Sequence, residues 1–311
     1  MDVGSDNDRV VVIGDIHGDL DALLRALLGM RILGLDGRWT GGSSQVVLIG
    51  DLNDRGADSV AVMDLIMDLE EAARVSGGRV HALLGNHELL AARGDFSYVR
   101  STEVLALEYF RCEDRRGLDA VYRGNSPWAR WVRSRPTLLK IGETLFAHAG
   151  VDLWALDLDA SFINKEVQAW VAHFQGVARQ PAESTYWLIA EGGGGPLWND
   201  RFDARHQPMD ANDLRTSLPK VLAHWGARRI VVGHVPTKSL GYSIAYPHPL
   251  YGDAAALVDT GISKFFGGRL SALEIVRDSL TPCYFDRGDS DLELTERLRV
   301  QFEKRRNDRK I

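Results

Sequence analysis

With 311 residues, 45% of them hydrophobic, the chain has enough apolar matter for a large core, which excludes disorder as its overall character. A net charge of −6, from 37 basic and 43 acidic residues, argues against the basic face that sequence-independent nucleic-acid binding needs. No apolar run approaches the roughly 18 residues of a membrane span, and the start "MDVGSDNDR" lacks a basic-then-apolar leader. Cys112 and Cys283 stand far apart, as thiols of a reducing compartment do, so a soluble cytoplasmic protein is the expectation.

In chain order, "RVVVIG" (9–14) is an all-apolar, β-branched run closed by glycine, which suits a strand buried on both faces. "DLDALLRALLGMRIL" follows with helical periodicity and Asp19 as its N-cap. "SQVVLIG" (44–50) repeats the strand pattern. The next segment, "DSVAVMDLIMDLEEAARVSGG", is a helix stopped by Gly77 and Gly78, and "RVHALLG" (79–85) is a third strand. Strand, helix, strand, helix, strand predicts a parallel sheet with right-handed crossovers, whose ligands gather outside the carboxyl ends of the strands. From about 91 to 140 the pattern is helical and charged. "TLLKIGETLFAHAGV" then gives a strand pair ending at His148, and 152–220 is a second, mostly helical segment broken by "EGGGGP" (191–196), a lid or a long turn. Strands return in "RRIVVGHVP", "ALVDTGI" and "RLSALEIV". The tail from 287 to 311 reads as a charged, solvated helix, so residues 8–286 are expected to form one catalytic unit with two helical insertions.

All three early strands end in glycine followed by polar residues: "GDIHGD", "GDLNDRG" and "GNHE". Asp15 and His17 lie two apart, a spacing that puts both on one side of an extended segment. Asp51 is placed to bridge two cations, with Asn86, His148 and His234 completing the second site. Carboxylate, imidazole and amide oxygen form a hard-to-borderline donor set suited to manganese, iron or zinc. Two such ions acidify a water and clamp a phosphoryl group, and the planar fork of Arg55 matches phosphate oxygens. His81, His173, His206, His224 and His248 fall outside these motifs and read as ordinary core or surface residues. Six of the eight tryptophans fall between Trp128 and Trp198. Packing of the insertions accounts for most of them, with Trp198 best placed to wall the phosphate site.

The ordered set "GDIHGD", "GDLNDRG" and "GNHE" resembles the three motifs of the phosphoprotein phosphatase family of calcineurin-like metallophosphoesterases. The later "AHAG", "GHVP" and "VDTGISKFFGGRLSALEI" resemble the bacterial-type branch that includes the Shewanella-like phosphatases. The resemblance runs from about residue 10 to 276 and implies an α/β sandwich of two mixed β-sheets flanked by helices. It implies Asp15, His17 and Asp51 on a first metal and Asp51, Asn86, His148 and His234 on a second. A hydroxide bridging the two would attack phosphorus, His87 would protonate the leaving oxygen, Asp54 would orient His87, and Arg55 would hold the phosphoryl group. A second clamp is expected in "GPLWNDRF", at Arg201, with Arg205 as competitor. "GHVP" lacks the second histidine of the wider superfamily, and no counterpart exists of the Ser-Ala-Pro-Asn-Tyr loop of eukaryotic protein phosphatases.

The resulting expectation is a phosphomonoesterase acting on a phosphoprotein or a phosphorylated small molecule. The second reading is a phosphodiesterase or dinucleotide polyphosphate hydrolase, which an arginine on terminal oxygens suits less well. The third is a non-catalytic phosphate-binding scaffold, against which the full ligand set and the His87–Asp54 pair argue. Oligomeric state is not readable from the sequence.

Overall fold

A computed structural model describes residues 9–192, 194–203, 214–285 and 289–308. Strand β1 (Arg9–Ile13), helix α1 (Leu20–Gly29), β2 (Gln45–Leu48), α2 (Ser59–Val75), β3 (Arg79–Ala82) and α3 (Asn86–Arg93) follow in the expected order. The first insertion holds α4 (Ser101–Leu107), the short pair β4 (Arg111–Cys112) and β5 (Arg115–Arg116), α5 (Gly117–Tyr122) and α6 (Pro127–Arg133). The expected hairpin is β6 (Leu138–Ile141) and β7 (Thr144–Ala147). It is followed by α7 (Ala160–Phe174), α8 (Leu214–His224), β8 (Arg229–Val232) and β9 (Ala255–Leu257). The chain closes with β10 (Ser271–Val276), β11 (Ser279–Tyr284) and α9 (Asp289–Asp308).

Nine of these strands form two mixed sheets, in the orders β11-β10-β1-β2-β3 and β6-β7-β8-β9. β1, β2 and β3 pair in parallel, as do β7, β8 and β9, while β10 runs antiparallel to β1. The twofold alternation of a strand explains why these runs are apolar throughout. Val10, Val12, Val47 and Ile49 point to the layer between the sheets, against Phe146, Val231 and Val258. Val11, Ile13, Val46 and Leu48 point the other way, into the core under the helices. Asp19 caps α1 by accepting the Ala22 amide at 3.0 Å.

Three features depart from the expected pattern. The first insertion is not wholly helical, because β4 and β5 pair within it. β11 was not foreseen: its run "SLTPCY" carries Pro282, which an edge strand tolerates because a missing N–H need not break a ladder there. The tail, expected to be solvated, is docked. Leu298 is fully buried, Thr295 Oγ1 donates to Asp21 Oδ1 at 2.6 Å, and Arg299 pairs with Asp58 at 2.5 Å. Its charged composition hides one apolar stripe, and that stripe lies on α1. Replacing Leu298 by alanine is therefore expected to lower the unfolding free energy by roughly 2–4 kcal/mol in urea titrations, the cost of a buried leucine. A tail in solvent would leave the midpoint unmoved.

Candidate metal centre

The parallel strands of both sheets end on the same side of the sandwich, and the loops that leave them carry the polar motifs. Asp51 follows β2 and is buried at 2% exposure. His148 Nε2 stands 3.4 Å from its Oδ1, and His17 Nε2 and His87 Nε2 stand 3.8 and 3.9 Å from its Oδ2. Two three-residue groups have all their donor atoms within 4.8 Å of one another: His17, Asp51 and His87, and Asp51, His148 and His234. Asp51 is common to both, as a bridging carboxylate must be.

The hydrogen bonds on the far side of each ring aim these donors. His148 Nδ1 faces the Ile49 carbonyl at 3.1 Å and His17 Nδ1 faces the Asn53 carbonyl at 3.3 Å. Each Nδ1–H therefore donates outward, and each Nε2 lone pair faces Asp51. The Asn86 side-chain oxygen lies 2.8 Å from His148 Nε2, 3.2 Å from His234 Nδ1 and 3.2 Å from both Asp51 oxygens. Such a gathering of electron pairs repels itself unless a cation lies among them or the amide turns its NH2 inward. Asp15 Oδ2 accepts the His234 amide at 3.0 Å, whereas its Oδ1 is buried without a partner. A buried carboxylate oxygen left bare is costly, and a cation relieves it. The donor set fits divalent metal.

Asp15 and His17 do not share one side of an extended segment. His17 has φ 47°, so the segment turns and is not extended there. Asp15 lies outside both three-residue groups and touches the His234 loop instead. Left-handed backbone recurs at Asp51 (50°), Asp54 (68°), Arg55 (67°) and His234 (70°), five of the nine described non-glycine residues with positive φ. Strain of this kind gathers where a site dictates side-chain direction. The motif glycines answer to close approach: a Cβ on Gly85 would sit 2.2 Å from Asp51 Oδ1, and one on Gly50 2.8 Å from His148 Nδ1.

Electrostatics separates two kinds of histidine. Burial drives His17 and His234 down to about 3 and lowers His148, leaving neutral rings whose lone pairs are available to metal. Burial also acts on His87, but the charges of Asp51 and Asp54 outweigh it and raise the ring above its ordinary value. His87 Nδ1 and Asp54 Oδ2 meet at 2.7 Å. Burial raises Asp54 as well. Burial by itself would raise Asp51, yet the histidines around it outweigh burial and hold it well below the usual carboxylate range.

The guanidinium of Arg55 lies over the Tyr98 ring, 4.3 Å from its centroid, and 5.0 Å from that of Phe265. Arg201 Nε pairs with Asp152 at 2.9 Å, beside a cavity of about 630 Å³ lined also by Trp154, Trp198 and His234. Arg205 lies outside the described residues, as does His206. Trp198 meets the His234 ring at 6.1 Å, whereas Trp128, Trp131 and Trp170 bond to Asp64, Glu70 and Thr185 in the packing of the insertions. His248 is satisfied by the Phe202 carbonyl and the Leu250 amide, and His81 by Gln45.

Two residues of the quoted motifs had no role assigned from sequence. Glu88, at the third position of α3, accepts the amides of Gly85, Asp51, Leu52 and Asn53 at 2.7–3.2 Å. It ties the loop after β2 to the start of α3, and its capping-box position is the signal that marks it. Asp259 of "VDTG" is fully buried and accepts the Gly261 amide at 2.9 Å. It adds negative charge beside Asp15 and helps burial to raise that carboxyl.

A water-excluded floor of carboxylate and imidazole at strand ends, backed by a raised histidine and an arginine, defines a metal-centred hydrolase. The sequence profile of the calcineurin-like phosphoesterase family matches residues 8–238, and the chain belongs to that family. With this site it is a metal-dependent phosphatase. Among its relatives, Shewanella-like protein phosphatase 2 of Arabidopsis thaliana is 28% identical, over 88% of this chain and 76% of that protein. Shewanella-like protein phosphatase 1 of Plasmodium berghei is also 28% identical, over 83% and 68%. A cold-active protein-tyrosine phosphatase of a psychrophilic Shewanella species shares the fold, with a TM-score of 0.72 and 24% identity over 91% of this chain and 82% of that one. Glu88→Ala would leave four buried amides unpaired, at about 1–3 kcal/mol each if unrelieved. It is expected to lower the unfolding free energy by at least about 3 kcal/mol and to release metal, measured by urea unfolding and elemental analysis.

Proposed function

We propose that the protein is a dinuclear phosphomonoesterase. One observation carries the reading: two three-donor groups share the single buried carboxylate of Asp51. In this reading Asp15, His17 and Asp51 hold one ion, and Asp51, Asn86, His148 and His234 hold the other, manganese being preferred over iron or zinc. When bound, the two ions supply Lewis-acid charge for the phosphoryl oxygens and acidify the water that attacks phosphorus. Residues 8–286 serve as the catalytic unit.

The remaining chemistry belongs to side chains. His87 carries the proton for the leaving oxygen, and Asp54 fixes the ring from behind, which is the geometry of a positioned general acid. His87 also falls within one three-donor group, but its ring is raised where the other histidines of the two groups are lowered, which favours acid over ligand. Arg55 lies against the Tyr98 and Phe265 rings, which hold the cation without neutralising it and leave its fork for phosphate oxygens. Arg201, steadied by Asp152, is the second clamp, across the cavity from His234.

A phosphorylated partner follows from this site. The names of the relatives support a phosphoprotein, and the tryptophan-lined cavity supports a compact phosphorylated small molecule. Metal-loaded protein is expected to turn over p-nitrophenyl phosphate faster than bis-p-nitrophenyl phosphate. The reverse order would make it a phosphodiesterase or a dinucleotide polyphosphate hydrolase. His87→Asn is expected to keep its metal and lose about 10²–10³ in kcat, most for poor leaving groups. Loss of metal from that variant would make His87 a ligand.

A further inference from the structure

Asp54 and Arg55 are consecutive non-glycine residues in left-handed backbone, with φ 68° and 67°. A pair like this persists only where neighbours over-determine it. Two of the restraints come from the first insertion. The Arg55 amide donates to the Tyr98 carbonyl at 3.0 Å. The Asp54 amide donates to Ser59 Oγ at 3.2 Å, and that hydroxyl in turn donates to Glu103 Oε2 at 2.7 Å.

Glu103 belongs to α4, is 3% exposed, and also accepts the Val60 amide at 3.3 Å. It stands where α2 lacks a cap, since Asp58 makes no side-chain capping bond there. A hydroxyl has one proton. Because Ser59 gives that proton to Glu103, its lone pairs are turned to the Asp54 amide. Without an acceptor at 103 the hydroxyl is free to rotate, and the Asp54–Arg55 turn loses a restraint. The carboxyl faces Asp54 and Tyr122, and burial pushes it up to about 7.

We propose that Glu103 is a positioning residue that acts through Ser59 to set the direction of the His87–Asp54 pair and of Arg55. This rests on the phosphomonoesterase reading, with His87 as acid. The helical insertion thereby becomes part of the catalytic apparatus, in addition to any covering role.

The test compares phenyl phosphate with p-nitrophenyl phosphate on metal-loaded wild-type, Glu103→Ala, Glu103→Gln, Ser59→Ala and the double alanine variant. Elemental analysis and inhibition by inorganic phosphate accompany the kinetics. Glu103→Ala and Ser59→Ala are expected to keep full metal content. Each should lose on the order of tenfold more kcat on phenyl phosphate than on p-nitrophenyl phosphate, because a misaimed acid harms the poorer leaving group most. Phosphate inhibition should weaken in both. Glu103→Gln, which retains one acceptor, should recover part of the loss, and the double variant should be no worse than the single ones. Equal losses on both substrates, or additive losses in the double variant, would overturn the proposal. Should Glu103→Ala not fold, Ser59→Ala decides alone, since it leaves the Glu103–Val60 bond in place. A wild-type protein inactive on both esters refutes the phosphomonoesterase reading itself, whereas an active wild type with unchanged leaving-group sensitivity in the variants refutes only the role of Glu103.

Discussion

The carboxylate of Asp51 is the constraint on which the upper face of this molecule depends. A buried anion survives only when positive charge and hydrogen bonds surround it. Here the His87 amide donates to Oδ1 at 3.0 Å, and rings from three different loops approach within 4 Å, two of them with lone pairs turned inward, so the missing positive charge is what a cation held among them would supply. Each of those loops must leave its strand at the same height, which explains why the sandwich needs parallel strands with their carboxyl ends together. The left-handed residues and the glycines without room for a Cβ are consequences of bringing so many loops to one point.

Around that floor the charges are sorted by what each group faces. Histidines held by carbonyl acceptors and buried are neutral and offer lone pairs. His87, backed by a carboxylate, is raised above its ordinary value. The same ring is thus lowered at one position and raised at another within a few ångströms, through different partners and charges around it. Arg55 is set apart by its aromatic neighbours, which hold a cation without neutralising it.

The helical segments do more than enlarge the protein. Tryptophans of α6 lock the first insertion onto α2, and Trp170 of α7 ties the second insertion to itself at Thr185, through indole hydrogen bonds. The docked α9 reaches Asp58 and Asp21, beside the loop that carries Asp54 and Arg55. Support for the site therefore arrives from both ends of the chain, and much of it through buried polar contacts.

How much of this could be read without coordinates differs from residue to residue. The buried strands and Asp19 were legible because apolar runs and caps obey local rules, and the loops ending at Asp51, Asn86 and His148 were legible because each follows such a strand. β11 was hidden because an edge strand is not required to be apolar, and the docking of α9 because one stripe of contacts is diluted by many charges. Glu88 and Glu103 were passed over for a shared reason: a carboxylate that serves backbone amides looks, in one dimension, like any surface acid. The amino-acid order by itself determined the buried strands and which polar residues stand at their ends. Which imidazole is lowered and which is raised, and which carboxylates are buried, was decided only when distant segments met, because those properties belong to the distance between partners and to the exclusion of water.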